Sequence, residues 1–166
     1  MGISFNADEV FEMGMDVEKN GEAYYIKAAE LATDAEVKKV FEYLAGEENN
    51  HWEIFKKMRE ELGGETTSPT VIDSEGLNNL YLEALVKSRL FSNVREAEKV
   101  AEDAADPISA LNAALTFEKD TILFFSGMKA LTREDLGAKK IDMLIEEEQK
   151  HIIRISAEIK KFRERS

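Results

Sequence analysis

Apolar residues recur every three or four positions along four long segments of this 166-residue chain. That spacing places them on one face of an α-helix and leaves polar residues on the other. The apolar positions are Val10, Met13, Val17, Tyr24, Ala28 and Leu31 in the first segment; Val37, Phe41, Leu44, Phe55, Met58 and Leu62 in the second; Leu111, Leu115, Ile122 and Phe125 in the third; and Ile141, Leu144, Ile145, Ile152, Ile155, Ile159 and Phe162 in the fourth. The pattern predicts four amphipathic helices around one core.

Capping residues predict where these helices begin and end. Asn6 to Glu9 and Thr33 to Glu36 have the capping-box pattern, a short polar residue followed three positions later by glutamate. Gly63-Gly64 predicts the end of the second helix, because glycine readily takes the left-handed conformation there. Asp106-Pro107 predicts the start of the third helix, and Thr132 to Asp135 predicts the cap of the fourth.

The segment between the second and third long helices, about residues 63–106, predicts a crossover. Leu77–Phe91 is expected to be helical, as is Val94–Ala105 with Ser92 as its cap. The crossover must span about 40 Å, the length of a helix of roughly 27 residues, and this segment is long enough to do so. We therefore expect a single all-α domain, residues 1–166: a four-helix bundle of two antiparallel hairpins with a long helical crossover.

A repeated motif contains both histidines of the chain. Each closes a Glu-x-x-His sequence, and a further glutamate precedes each of these motifs by thirty residues. The midpoints of the two thirty-residue intervals fall beside the two predicted turns, so the members of each pair lie at equal height on an antiparallel hairpin, about 20 Å from its turn. The six residues are Glu18, Glu48, His51, Glu118, Glu148 and His151.

The motif residues fall on the apolar stripes, because residues three apart on a helix share a face. A buried carboxylate costs several kcal/mol unless it is paired. Four glutamates with two neutral histidines carry a charge of −4, which two divalent cations would balance. The sequence therefore predicts a dinuclear metal site with these six residues as ligands. A buried network of ion pairs is the alternative interpretation.

Neighbouring residues add further candidates. Tyr25 and Phe125 each lie seven residues after the first glutamate of their hairpin, on the same helical face. Tyr25 is the candidate catalytic residue, since its hydroxyl could donate to a ligand carboxylate; packing in the core is the equal alternative. Glu22, Glu47 and Glu147 are expected to face solvent.

Composition excludes several classes of function. The chain has no cysteine, which rules out disulfides, thiolate zinc sites and iron–sulfur clusters. Its net charge of −12 argues against nucleic-acid partners and against anionic membrane surfaces. The sequence has no apolar run long enough to predict a transmembrane helix. The residues after Met1 have neither the basic stretch nor the apolar core of a signal peptide, so we expect a cytoplasmic protein.

The whole chain resembles the rubrerythrin-like branch of the ferritin-like di-iron carboxylate proteins. The six motif residues carry the resemblance, supported by the segments 18–25 and 117–125. Two departures stand out. Rubrerythrins proper have a rubredoxin domain with a four-cysteine iron, which a chain without cysteine cannot form. They also usually have a second glutamate three residues after the third-helix ligand, where this chain has Thr121.

The resemblance implies a ferritin-like fold and a cofactor of two iron ions, with manganese or zinc as alternatives for such an oxygen-rich ligand set. The expected function is reduction of peroxide or dioxygen, with electrons from an external donor protein. Two alternatives are iron binding without turnover, as in ferroxidase-type iron handling, and a purely structural bundle. The resemblance alone also suggests association into a homodimer.

Overall fold

A computed structural model describes residues 5–63, 75–87 and 92–166. In these ranges the chain forms six α-helices: α1 (Ala7–Leu31), α2 (Ala35–Glu60), α3 (Leu77–Lys87), α4 (Val94–Asp103), α5 (Pro107–Ala130) and α6 (Ala138–Arg165). A short 3-10 helix, Glu134–Leu136, precedes α6. The predicted all-α, ferritin-like class is confirmed.

The four long helices form two hairpins. α1 packs along α2, and α5 packs along α6. The hairpins meet through contacts of α2 with α6 and of α1 with α5. Two shorter helices lie in the predicted crossover: α4 packs against α1, and α3 packs against α5. The predicted end of the α3 segment, at residues 88–91, and most of the loop before α3 lie outside the described residues.

Most of the predicted apolar positions lie in one buried core. Phe41 and Phe55 of α2, Phe125 of α5 and Ile141 of α6 are each no more than 1% exposed. Leu31 is an exception, since 52% of it is exposed where α1 ends. In the part of the chain that the structure describes, no helix is long and apolar enough to cross a membrane.

The first hairpin begins as predicted and turns one residue later than predicted. Asn6 and Glu9 form the reciprocal capping box of α1, with both hydrogen bonds at 2.9 Å. The cap of α2 is Asp34 and not Thr33, because the Asp34 carboxylate accepts from the backbone N–H groups of Glu36 and Val37 at 3.0 Å. A carboxylate at the helix N-terminus also interacts favourably with the helix dipole.

The other predicted caps were partly wrong. Asp106 caps α5 as expected, but Asn93 and not Ser92 caps α4, since its side chain accepts from the Glu96 N–H. Thr132 does not cap the fourth helix: its hydroxyl donates back to the Met128 carbonyl at 2.8 Å. The chain then makes the 3-10 turn, and α6 starts only after Gly137, whose φ of 119° is accessible to glycine. Gly63 after α2 also has a positive φ, of 55°.

Candidate metal centre

Each long helix contributes one glutamate to the centre of the bundle. Glu18 lies on α1, Glu48 on α2, Glu118 on α5 and Glu148 on α6. All four are 0% exposed, and both histidines are 2% exposed. The equal heights expected from the two thirty-residue intervals explain why four carboxylates meet at one level of the core. The structure therefore brings together all six residues that the repeated motif predicted.

The two imidazole rings face one another between the hairpins. Their centroids are 5.3 Å apart and their planes differ by 11°. His51 Nδ1 lies 2.8 Å from Glu148 Oε1, and His151 Nδ1 lies 2.8 Å from Glu148 Oε2. Glu148 thus contacts a histidine from each hairpin, while His151 Nδ1 also lies 3.4 Å from Glu118 Oε1. Both Nδ1 atoms point into the carboxylate cluster.

The six residues divide into two overlapping groups of four. One group is Glu18, Glu48, His51 and Glu148, and the other is Glu48, Glu118, Glu148 and His151. Within each group, one potential ligand atom from every residue lies within 4.8 Å of all the others. Glu48 and Glu148 are common to both groups. These two shared carboxylates, with one further glutamate and one histidine in each group, would be a ligand set for a pair of metal ions.

Unsatisfied polar atoms support this interpretation. In the described part of the chain, both carboxylate oxygens of Glu18 and of Glu48 are buried and lack a hydrogen-bond partner. The Glu148 oxygens and the two histidine Nδ1 atoms are also buried and lie 2.8 Å apart in pairs, without the geometry of a hydrogen bond. Leaving one buried polar group unsatisfied costs about 1–3 kcal/mol, and more for a charged group. Cations at the centre of the cluster would satisfy these lone pairs, so the residues fit a dinuclear metal site better than a closed ion-pair network.

Burial and mutual repulsion set the protonation of the metal-free cluster. Burial raises the pKa values of Glu18 and Glu48, with a further contribution from the neighbouring carboxylates. Burial likewise raises the pKa of Glu118, to about 8. Glu148 is the exception: burial acts to raise its pKa, but contacts with His151 and His51 outweigh this and lower it.

The histidines show the opposite balance. Burial lowers their pKa values, but nearby carboxylates outweigh it. Glu148 is the first of these for His51, whose pKa rises to about 9. Glu118 and Glu148 act on His151, whose pKa rises to about 11. Without metal, these shifts favour protonated imidazoles and protonated carboxyl groups at Glu18, Glu48 and Glu118, and they favour an ionised Glu148.

Metal loading is expected to release several protons per chain, because ligands bind metal in their deprotonated forms. Because protons compete with metal for the ligand atoms, metal affinity should rise with pH, most steeply between about pH 7 and 9, where Glu118 and His51 titrate. Calorimetric titration with Zn²⁺ in buffers of different ionisation enthalpy would measure the proton count. Release of less than one proton per chain would contradict the protonation of the metal-free cluster described above.

Tyr25 lies against the cluster and is fully buried. Its hydroxyl donates a short hydrogen bond to Glu118 Oε1, a contact between the two hairpins. The equivalent residue of the second hairpin, Phe125, packs against Phe55 and provides no hydroxyl. The predicted hydrogen bond to a carboxylate of the cluster is thus present, on one side only. A catalytic role for Tyr25 stays a prediction.

Thr121 occupies the position where a second third-helix glutamate was expected from the resemblance. It is buried, and its hydroxyl donates to the Phe117 carbonyl of the same helix at 2.9 Å. It therefore adds no carboxylate to the cluster. Gly21 is the equivalent residue on α1.

Gly21 is expected to be essential for the shape of the cluster. A Cβ atom there would lie 2.6 Å from the Phe117 ring and 2.7 Å from Glu48 Oε2. Gly21→Ala should therefore destabilise the fold by about 1–3 kcal/mol through overpacking and should weaken metal binding. The matched control is Gly46→Ala on α2, where a Cβ meets nothing within 4 Å and where alanine should stabilise the helix by about 1 kcal/mol. Urea denaturation of both variants tests this; equal stabilities would contradict it.

Glu47 is the one nearby residue that the sequence reasoning missed. It was expected to face solvent with Glu22 and Glu147, but all three are only partly exposed. A carboxylate oxygen of Glu47 and a ring nitrogen of each histidine lie within 4.8 Å of one another. The available signal was its spacing: Glu47 lies four residues before His51, which places both on the same side of α2.

Comparison with known proteins agrees with this site. The family model described as Rubrerythrin matches residues 5–59, which include α1 and nearly all of α2. The match contains Glu18, Tyr25, Glu48 and His51. Comparisons with curated proteins and with solved structures gave no match. The first third of the chain thus resembles rubrerythrin, and the described residues form an all-α, ferritin-like bundle with a buried cluster of glutamates and histidines able to hold metal ions.

Proposed function

We propose that this protein is a di-iron carboxylate oxidoreductase that reduces hydrogen peroxide or dioxygen with electrons from an external donor protein. The observation that carries the proposal is the pair of four-residue ligand groups that share Glu48 and Glu148. Glu18 and His51 would complete one metal site, and Glu118 and His151 the other. Oxygen-rich ligands with one imidazole per ion suit iron or manganese, while zinc competes through affinity.

For peroxide, the O–O bond breaks and two electrons and two protons convert H₂O₂ into two molecules of water. When bound, two ferrous ions supply those two electrons and Lewis acidity at one place. The given sequence has no cysteine with which to restore them, and the donor that we propose is a separate redox protein. A cytoplasmic location, where reduced donors are available, is part of the same proposal.

The chain's own residues prepare the site for this chemistry. Tyr25 holds the Glu118 carboxylate in one orientation through its hydrogen bond. The rings of Phe41 and Phe117 pack around Tyr25, with centroids 6.1 and 6.2 Å from its own, and keep water from this side of the cluster. Burial raises the pKa of the Tyr25 hydroxyl, so it remains protonated and able to donate.

Rapid mixing tests the peroxide reaction. Protein loaded anaerobically with two ferrous ions per chain should be oxidised by hydrogen peroxide within seconds, as followed by near-ultraviolet absorption. Tyr25→Phe should keep both irons, because phenylalanine is already accommodated at the equivalent position 125, but should react more slowly by about tenfold or more. Oxidation no faster than that of free ferrous ion would rule out the peroxide function.

Iron handling without turnover is the second candidate, and Thr121 favours it. In the family, the glutamate expected at this position supports movement of one iron during peroxide turnover, and Thr121 supplies no carboxylate. Storage of iron requires a closed shell of many subunits. A monomer or homodimer in light scattering would therefore reject storage, and the homodimer is the assembly that we propose.

A further inference from the structure

The buried position of the cluster raises the question of how metal ions enter it. The four glutamates are 0% exposed and the histidines 2% exposed, so none offers an ion a first contact with solvent. Glu47 differs because it is partly exposed and yet lies beside both histidines. It is therefore placed between the solvent and the inner carboxylates.

The surroundings of Glu47 contain unused ligand atoms. Its carboxylate oxygen and a ring nitrogen from each of His51 and His151 lie within 4.8 Å of one another. His151 Nε2 is buried and has no hydrogen-bond partner in the part of the chain that the structure describes. His151 also lines an open groove between α2 and α6, together with Tyr43 and Lys150. Solvent thus approaches the His151 imidazole through this groove.

The two motifs differ in the partner of the glutamate that precedes the ligand glutamate. The first motif reads Glu47-Glu48-Asn49-Asn50-His51, and the second reads Glu147-Glu148-Gln149-Lys150-His151. Glu147 forms an ion pair with Lys150 at 2.6 Å, which neutralises both groups. Among the described residues, Glu47 instead accepts a single long hydrogen bond, 3.3 Å, from the neutral amide of Asn50. Its charge is therefore available for a cation.

We propose that Glu47, His51 and His151 form an outer site for one divalent cation, through which metal ions load the dinuclear centre. The inference rests on the proposed dinuclear site and adds the route by which it fills. One carboxylate oxygen and two imidazole nitrogens suit Fe²⁺, Mn²⁺, Co²⁺ or Zn²⁺. An ion held here would lie next to the inner ligand groups, since His51 belongs to one of them and His151 to the other.

Loading kinetics with Co²⁺ as the probe test this proposal. Metal-free protein is mixed with Co²⁺ in a stopped-flow instrument, and the visible absorption of protein-bound cobalt is followed at several metal concentrations. Glu47→Gln should lower the second-order loading rate by about tenfold, because it removes the charge that attracts the ion. The final stoichiometry of two cobalt ions per chain and the final spectrum should not change.

Two further variants make the test specific. Glu147→Gln removes the same charge at the equivalent position and should load at close to the wild-type rate. Asn50→Lys keeps Glu47 but gives it the ion-pair partner that Glu147 has, and it should load as slowly as Glu47→Gln. Thermal unfolding of each metal-free variant confirms that the bundle is intact.

The outcomes separate this proposal from the one on which it rests. A wild-type loading rate in Glu47→Gln would overturn the outer site, as would equal slowing by Glu147→Gln. Loss of one bound cobalt from Glu47→Gln would make Glu47 a permanent ligand and also overturn the loading role. Failure of the wild-type protein to bind cobalt at all would instead refute the dinuclear centre.

Discussion

Replacing Glu48 by alanine is expected to abolish the loading of both metal ions. Glu48 belongs to both four-residue ligand groups, so its removal takes a ligand from each ion at once. Glu148 has the same position in the cluster, and Glu148→Ala should have the same effect. By contrast, Glu18→Ala and Glu118→Ala each remove a ligand from one group only and should leave one ion bound.

Of the two shared glutamates, Glu48 gives the cleaner test. Burial raises the pKa of Glu48 and thus favours its neutral form in the metal-free protein, so its replacement by alanine removes little charge. The pKa of Glu148 is lowered by the two histidines beside it, and its loss would leave two buried imidazolium groups without a counterion. Such a loss costs about 3–5 kcal/mol and could prevent folding. Glu148→Gln, which keeps the shape, is the variant to compare.

The measurement is metal content by elemental analysis after iron supplementation, together with anaerobic titration of the purified variants. Glu146→Ala, an exposed acidic position on α6, is the control and should retain two ions. Two ions per chain in Glu48→Ala would contradict the assignment of Glu48 as a shared ligand. One ion in Glu18→Ala and none in Glu48→Ala would distinguish terminal from bridging ligands, which the spacing of the motifs alone does not do.

Much of this arrangement follows from sequence spacing because the hairpins are regular. A helix rises by a constant amount per residue, so equal distances from a turn become equal heights, and Glu18 and Glu48 meet even though Asp34 rather than Thr33 caps α2. An error of one residue at the turn moves the expected heights by only about 1.5 Å. The positions of the six motif residues therefore tolerate an imperfect prediction of the turn.

Other features depend on contacts that spacing cannot supply. The hydrogen bond of Tyr25 goes to Glu118, on the opposite hairpin, and requires the packing of one hairpin on the other. The start of α6 after Gly137 depends on a left-handed backbone at one residue, while the nearby Thr132 has the composition of a cap but bonds backward to α5. The role that we propose for Glu47 depends on the identity of its neighbour Asn50, a difference between two otherwise similar motifs.

Removal of the metal is expected to lower the thermal stability of the protein strongly. A ligand that binds only the folded state stabilises it by about 4 kcal/mol at a free concentration a thousand times its dissociation constant. For a chain of this size, that corresponds to a rise in Tm of about 8–16 °C. Chelation should reverse the rise, and scanning calorimetry of the loaded and chelated forms measures it.

Calorimetry of the loaded and chelated forms also tests the alternative that the protein is a purely structural bundle. In the metal-free protein, contacts with the two histidines lower the pKa of Glu148, and burial raises the pKa values of the other three glutamates. The buried oxygens of Glu18 and Glu48 lack hydrogen-bond partners in the described structure, which costs stability. Metal ions should relieve that cost in the wild-type protein and should have little effect on Glu48→Ala, which serves as the matched control. Equal Tm values for the loaded and chelated wild-type protein would mean that the polar core is self-sufficient, and the cluster would then be an ion-pair network rather than a metal centre.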